Sequence, residues 1–234
     1  VRVATYNIHK GIGGVDRRYR PERIAELLAA ADADVLLLQE VDDGCVRSAR
    51  HRQVDWLGDA IAYPHRAWAA NVVVRGGGAY GNAILSRWPI ASWSNLDLTI
   101  GRRKRRSALV ALVEVPGALR LPVVCLHLGL AQAERERQVA MLLGAGELAA
   151  LGPDTPAVVG GDLNDVYGRL AAHLEPGGFR TVPTPATFPA WGPLRALDGI
   201  YARGRARVRT IARGETPLDK RASDHRMLLA EIDL

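Results

Sequence analysis

Cysteine is scarce. Cys45 and Cys125 lie far apart in a chain of 234 residues, and neither has metal-type or redox-type spacing. No disulfide framework is available from them, and they read as reduced thiols of a cytoplasmic protein. No run approaches the roughly 18 apolar residues of a membrane span. The opening VRVATYNI is strand-like and lacks an apolar signal core, so secretion is not expected, although a removed leader before Val1 stays open. Also missing is any GxGxxG or P-loop in a strand–helix context; Gly11, Gly13 and Gly14 are too loosely spaced to count. A redox or nucleotide-cofactor enzyme therefore loses its support. No low-complexity segment or composition break marks a linker, and Pro and Gly cluster only in short loops such as Gly76-Gly77-Gly78 and Pro183 to Pro193. A single domain over residues 1–234 is expected, with a hydrophobic content of 48% able to supply its core.

Positive charge is in excess. The net charge is +6, the pI is near 9.7, and arginine far outnumbers lysine. This favours polyanionic or phosphate-bearing partners. The signal is diluted, because an Arg-rich and Ala-rich composition also follows from codon bias.

The most informative stretch is TPAVVGGDLND, residues 155–165. Small apolar residues end in Gly160-Gly161 and give way to Asp162, Leu163, Asn164 and Asp165. This predicts a buried strand delivering an acid and an amide to the edge of a sheet. In extended backbone, Asp162 and Asn164 point to one side. Taken alone, an Asx-rich turn explains the stretch equally well. Other polar groups are expected at strand ends: Asn7, Gln39-Glu40, His127, Asp198 and Asp224-His225.

The remaining pattern predicts strands at 1–8, 35–38, 70–74, 82–86, 107–115, 119–126, 157–160, 197–202, 206–212 and 227–233. Helices are expected from Pro21, with Ile24, Leu27, Leu28 and Ala31 on one face, and at 51–61, 132–150 and 168–174. Strand, polar residue, helix, strand and acid occur twice, as Asn7…Glu40 and His127…Asp162. Two such units suggest two sheets packed face to face, with helices outside and the polar ends on one rim.

In order, the pieces YNIHKG, LLQEV, GNAILSR, HLG, GGDLND, LDGIY and SDHRML resemble the endonuclease/exonuclease/phosphatase superfamily across nearly the whole chain. The resemblance implies an α/β fold, a four-layer α/β/β/α sandwich of two packed mixed β-sheets flanked by helices. It also implies a Mg²⁺- or Mn²⁺-dependent phosphoester hydrolase. Glu40 matches the principal metal ligand, with Asn7 and Asp224 beside it. A carboxylate at the end of an apolar strand has to be paired, protonated or metal-bound, and hard oxygen ligands suit these ions. His225 matches the catalytic His and Asp198 the acid that orients it. Asp162 and Asn164 match residues that orient water and bind the scissile phosphate, with Asp162 a rival base. His127 matches a second His that donates to a phosphate oxygen. Where deoxyribonuclease I has a Glu partnering that His, GNAILSR places Asn82, which suits hydrogen bonding better than a general-acid role for His127.

The basic run GRRKR before Arg106 reads as a solvated loop; the alternative is phosphate contact, with Arg106 the main contributor. Arg105, Arg17, Arg18 and Arg20 are weaker ones. Tyr80 and Trp191 either cover a substrate ring or shield the rim. The expectation is a monomeric, cytoplasmic, metal-dependent phosphodiesterase acting on nucleic acid or on phospholipid or small-molecule diesters. The alternatives are a phosphomonoesterase of the same fold and a non-catalytic nucleic-acid- or protein-binding module.

Overall fold

The computed structural model describes residues 1–117 and 119–234. The chain opens with β1 (Arg2–Asn7), α1 (Pro21–Ala31) and β2 (Val35–Asp43), and β1 and β2 run parallel, with Val3 opposite Val35. Pro21 fits the first turn of α1, where its missing N–H is no loss. The helix stops at Asp32, whose left-handed backbone (φ 48°) closes its last turn onto the Ala29 carbonyl. Helix α2 (Gln53–Ala60) and the antiparallel hairpin β3 (His65–Val73) and β4 (Ala79–Ser86) follow. The second half contains β5 (Ile90–Asp97), β6 (Ser107–Val115), β7 (Leu119–His127), α3 (Gln132–Gly144), α4 (Gly146–Ala149) and β8 (Ala157–Asp162). Helix α5 (Leu170–Leu174), β9 (Asp198–Arg203), β10 (Arg207–Arg213), α6 (Asp219–Ala222) and β11 (Leu228–Asp233) complete it.

The strands form two mixed sheets, ordered β10-β11-β1-β2-β4-β3 and β5-β6-β7-β8-β9. Alternation along β2 shows how they pack. Val35 and Leu37 join Leu109, Val123, Val158 and Ile200 between the sheets, whereas Leu36 and Leu38 face Ile24, Leu28, Val54 and Leu57. On the far side, Val124, Leu126 and Val159 pack against Val139, Leu142 and Leu174. Three apolar layers separate four layers of structure, the expected α/β/β/α sandwich. The parallel pairs β1–β2 and β7–β8 are the two repeated units.

Four local readings change. β2 does not end at Gln39-Glu40; it continues to Asp43 past a register shift between Leu38 and Val41, so Glu40 (φ 58°) sits on a bulge inside the strand. Asp198 and His225 precede or open their strands rather than ending them. They share the rim because β9 and β11 run antiparallel to β8 and β1. The helix expected over 132–150 breaks at Ala145, which is extended (ψ 142°) between Gly144 and Gly146. The edge strand β5, whose residues are largely exposed or half-buried, was not anticipated. Of the link between β6 and β7, Pro116-Gly117 forms a turn, and Ala118 lies outside the described residues.

Candidate active site

The site begins with strand register. Asp162 ends β8 directly opposite His127 of β7 on one side and Asp198 of β9 on the other, a single row of three side chains. Gly160 just before it lets the two sheets close up, and Gly161 lets the neighbouring strand β7 approach. A Cβ on Gly161 would lie 2.0 Å from the Leu126 carbonyl oxygen, and one on Gly160 would lie 2.9 Å from Leu37. With the sheets this close, Asn7 at the end of β1 donates to Asp162 Oδ2 at 3.0 Å.

Asp162 Oδ2 is a meeting point, with His127 Nε2 at 3.4 Å and His225 Nε2 at 3.7 Å. The other ring nitrogen of His225 lies 2.8 Å from Asp198 Oδ2, which also accepts from Thr187 Oγ1. The Phe188 ring tilts against the imidazole, with centroids 5.1 Å apart. Burial opposes protonation of His225, but the charges of Asp198 and Asp162 override it and lift the imidazolium to about 10. Burial raises Asp162 to about 6 in spite of that cation. His127 is pushed the other way, well below the ordinary range, by burial and then by the charge of Arg106. The row therefore holds a charged His225 and a neutral His127 at neutral pH, both facing one carboxylate.

Beyond Asp162 the chain turns. Asp162 Oδ1 accepts the Asn164 N–H at 3.0 Å, and Asn164 (φ 51°) donates its amide to the Leu128 carbonyl at 3.0 Å. The extended geometry expected for Asp162 and Asn164 is thus replaced by an Asx turn, which satisfies the backbone where the strand stops. Asp165 points elsewhere and accepts the Arg169 and Leu170 N–H groups at the start of α5.

Glu40 projects from its bulge to the Lys10 ammonium, which holds it down to about 2 although burial pushes the other way. Lys10 is brought there by consecutive left-handed residues His9, Lys10 and Gly11 (φ 45°, 62° and 71°). Gln53 braces this turn: its amide donates to the Lys10 carbonyl at 2.7 Å, and its oxygen accepts the Asp42 N–H at 2.7 Å. Asp224 is half-buried, accepts from Ser223 Oγ at 3.3 Å, and lies 3.9 Å from His9 Nε2. Sequence reasoning did not single out Lys10, Thr187 or Phe188. The signal lay in YNIHKG, a piece already noted, and in the triplet Thr187-Phe188-Pro189.

Arg106 is buried (4% exposed), and its Nε has no partner among the described residues. Burial lowers its affinity for a proton, opposed chiefly by Asp162 and Glu40, which places its charge toward the site. Asn82 ties the sheets together, donating to the Ser107 and Cys125 carbonyls at 3.0 and 3.4 Å. Tyr80 is not a free cover for a substrate ring. It is buried under Lys10, Arg47 and Lys104, which stand 5.5, 5.2 and 5.3 Å from its ring centroid. Trp191 is exposed on the rim, next to Ala190, whose N–H binds the Asp224 carbonyl at 2.7 Å. Arg105, Arg17, Arg18 and Arg20 are exposed.

Two donor sets are relevant to a metal. Oxygen donors of Glu40, Asn7 and Asp224 are of the hard type that Mg²⁺ and Mn²⁺ take, and Glu40 already carries a cation in the form of the Lys10 ammonium. That stand-in shows that Glu40 takes a cation at this place. Ligand atoms of Asp162, Asp198 and His225 also lie within 4.8 Å of one another, but both nitrogens of His225 already face carboxylates.

Two packed mixed sheets flanked by helices, with acids and histidines on one rim, define a phosphoester-hydrolase fold. The model of the Endonuclease/Exonuclease/phosphatase family matches residues 4–225, and the chain belongs to that family. It is 32% identical to the uncharacterised protein YbhP of Escherichia coli K12 over 252 residues, covering 100% of this chain and 96% of YbhP. Among solved structures, the endonuclease/exonuclease/phosphatase from Beutenbergia cavernae superposes with a TM-score of 0.82 at 22% identity, covering 100% of this chain and 71% of that one. The mannosyl-6-phosphatase Bt3783 of Bacteroides thetaiotaomicron gives 0.74 at 16% identity, with 100% of both chains covered. Members of the family are hydrolases of phosphoesters and are generally divalent-metal dependent. Among the described residues, no helix is long and apolar enough to cross a membrane.

Proposed function

We propose that this chain is a divalent-metal-dependent phosphodiesterase, with one catalytic domain over residues 1–234 because the site draws on both sheets. The observation that carries the reading is the convergence on Asp162 Oδ2, where Asn7, His127 and an Asp198-anchored His225 meet. In this reading Glu40, Asn7 and Asp224 would hold Mg²⁺ or Mn²⁺, which would supply positive charge to the phosphoryl group. Asp162 takes the proton of the attacking water, since an acid raised toward neutrality is a better base than an ordinary carboxylate. Asn164 and the Asx turn hold that carboxylate in place. His225, kept charged by Asp198, faces the charge that builds on the phosphorane. His127, kept neutral, donates a hydrogen bond to a phosphate oxygen. Arg106, a buried cation with an unpartnered Nε, binds the single negative charge of a diester.

The test is a calorimetric Mn²⁺ titration and a turnover assay on wild type, Glu40→Gln and His225→Ala. The expected result is that Glu40→Gln loses metal affinity and turnover together, while His225→Ala loses turnover and keeps the metal. Unchanged Mn²⁺ affinity in Glu40→Gln would remove that residue from the metal site.

A further inference from the structure

Scattered exposed apolar side chains are ordinary on a protein surface; here they are concentrated on one side, with Trp93, Met141 and Leu234 the exceptions. Leu194 (85% exposed), Leu130 (75%) and Tyr167 (70%) stand on the loops that adjoin Asp198, His127 and Asp162, and Trp191 stands beside Leu194. Val15 and Val46 are exposed on the loops that follow β1 and β2. All these loops open on the catalytic rim, because β1, β2, β7 and β8 end there and β9 begins there. At the opposite rim, the described links 32–34, 61–64, 87–89, 150–156 and 204–206 carry no exposed large apolar side chain.

Charge is uneven as well. Arg17, Arg18, Arg102, Lys104, Arg169 and Arg195 are exposed on the catalytic rim, where Asp16 and the strand-end Asp43 are half-buried and the exposed Glu215 is paired with Arg213 and Arg226. On the opposite rim the exposed Arg87 and Arg205 are matched by the exposed acids Asp32 and Asp154. Separate apolar tips on different loops, spread among cations, do not form the continuous groove that a folded protein partner would fill. They suit a fluid medium that is apolar a short way in and negatively charged at its surface. Nucleic acid would satisfy the arginines but would leave Leu130 and Leu194 facing water and phosphate.

We infer that the catalytic rim docks on the surface of an anionic lipid bilayer, presenting the site to phosphodiester lipid headgroups. The substrate half of this statement rests on the proposed phosphodiesterase activity; the docking half does not. The experiment is co-sedimentation of the full chain with vesicles of phosphatidylcholine alone or mixed with phosphatidylglycerol, at low and high salt, with EDTA present. Wild type is compared with Leu130→Ser/Tyr167→Ser/Leu194→Ser, and hydrolysis of the soluble diester bis-p-nitrophenyl phosphate is measured on both. The expected result is salt-sensitive binding to the mixed vesicles, at least about tenfold weaker in the triple variant, with soluble-diester turnover unchanged. Failure to pellet with mixed vesicles, or equal pelleting of wild type and variant, overturns the inference. Tight binding to duplex DNA that the triple variant retains, without vesicle binding, assigns the rim to nucleic acid and overturns it too. Vesicle binding without diester hydrolysis would leave the docking in place and remove the proposed activity.

Discussion

Asp162→Asn should make the metal-free protein more stable while destroying its activity. Asn is nearly isosteric, keeps an oxygen toward the Asn164 N–H, and removes a charge from a buried position. The ordinary value of this acid is 3.8 and the fold raises it to about 6, which disfavours the ionised form by about 3 kcal/mol. Because the folded value lies above the unfolded one, Asp162's contribution to stability is complete below pH 3.8, declines as pH rises, and is lost above about 6. The advantage of the Asn variant should therefore grow through that window and level off near neutrality. About 3 kcal/mol is its ceiling, because in the same substitution His225 loses one of its two carboxylate neighbours and the new amide NH2 faces the Asn7 amide that donated to Oδ2. Urea unfolding of both proteins in EDTA, at several pH values from 4 to about 8, measures the difference. A difference that does not change with pH, or a variant less stable than wild type at neutral pH, would refute the reasoning. Such a trade between stability and activity is expected where a charge is held against its preference for catalysis.

Lys10→Met removes the ammonium that neutralises Glu40 and should tighten Mn²⁺ binding about tenfold by calorimetry; unchanged or weaker binding would show that Lys10 does not compete for that carboxylate. Gly161→Ala places a Cβ 2.0 Å from the Leu126 carbonyl oxygen and should cost about 3 kcal/mol or more in urea unfolding, since backbone is what must move. An Ala variant of wild-type stability would mean that β7 and β8 have room to spare there.

The layers of the fold were legible because each strand wears its burial on alternate residues, and the crossover helix after β1 has a clean apolar face. β5 escaped because its pattern is that of an edge strand, with no continuous apolar side to announce it. The break at Ala145 was hidden by the apolar spacing that continues to Leu148, with Gly144 and Gly146 the overlooked signal. For the site, residue types were readable but backbone state was not. Glu40 looked like a strand terminus because its bulge depends on pairing with β4, a partner some 40 residues downstream. Asn164 looked extended because the Asx turn competing with the strand uses the same residues. Lys10 went unnoticed because an ion pair between the first loop and β2 exists only once β1 and β2 have paired.

The central claim is that the convergence on Asp162 hydrolyses phosphodiesters with a metal held at Glu40. The measurement that tests it most directly is the hydrolysis of bis-p-nitrophenyl phosphate and p-nitrophenyl phosphate, each in EDTA, Mg²⁺ or Mn²⁺, by wild type and by an Asp162→Asn/His225→Ala double variant. The account predicts metal-dependent cleavage of the diester, silence in EDTA and silence in the double variant. Diester cleavage that survives EDTA or the double variant would contradict it, as would cleavage of the monoester alone.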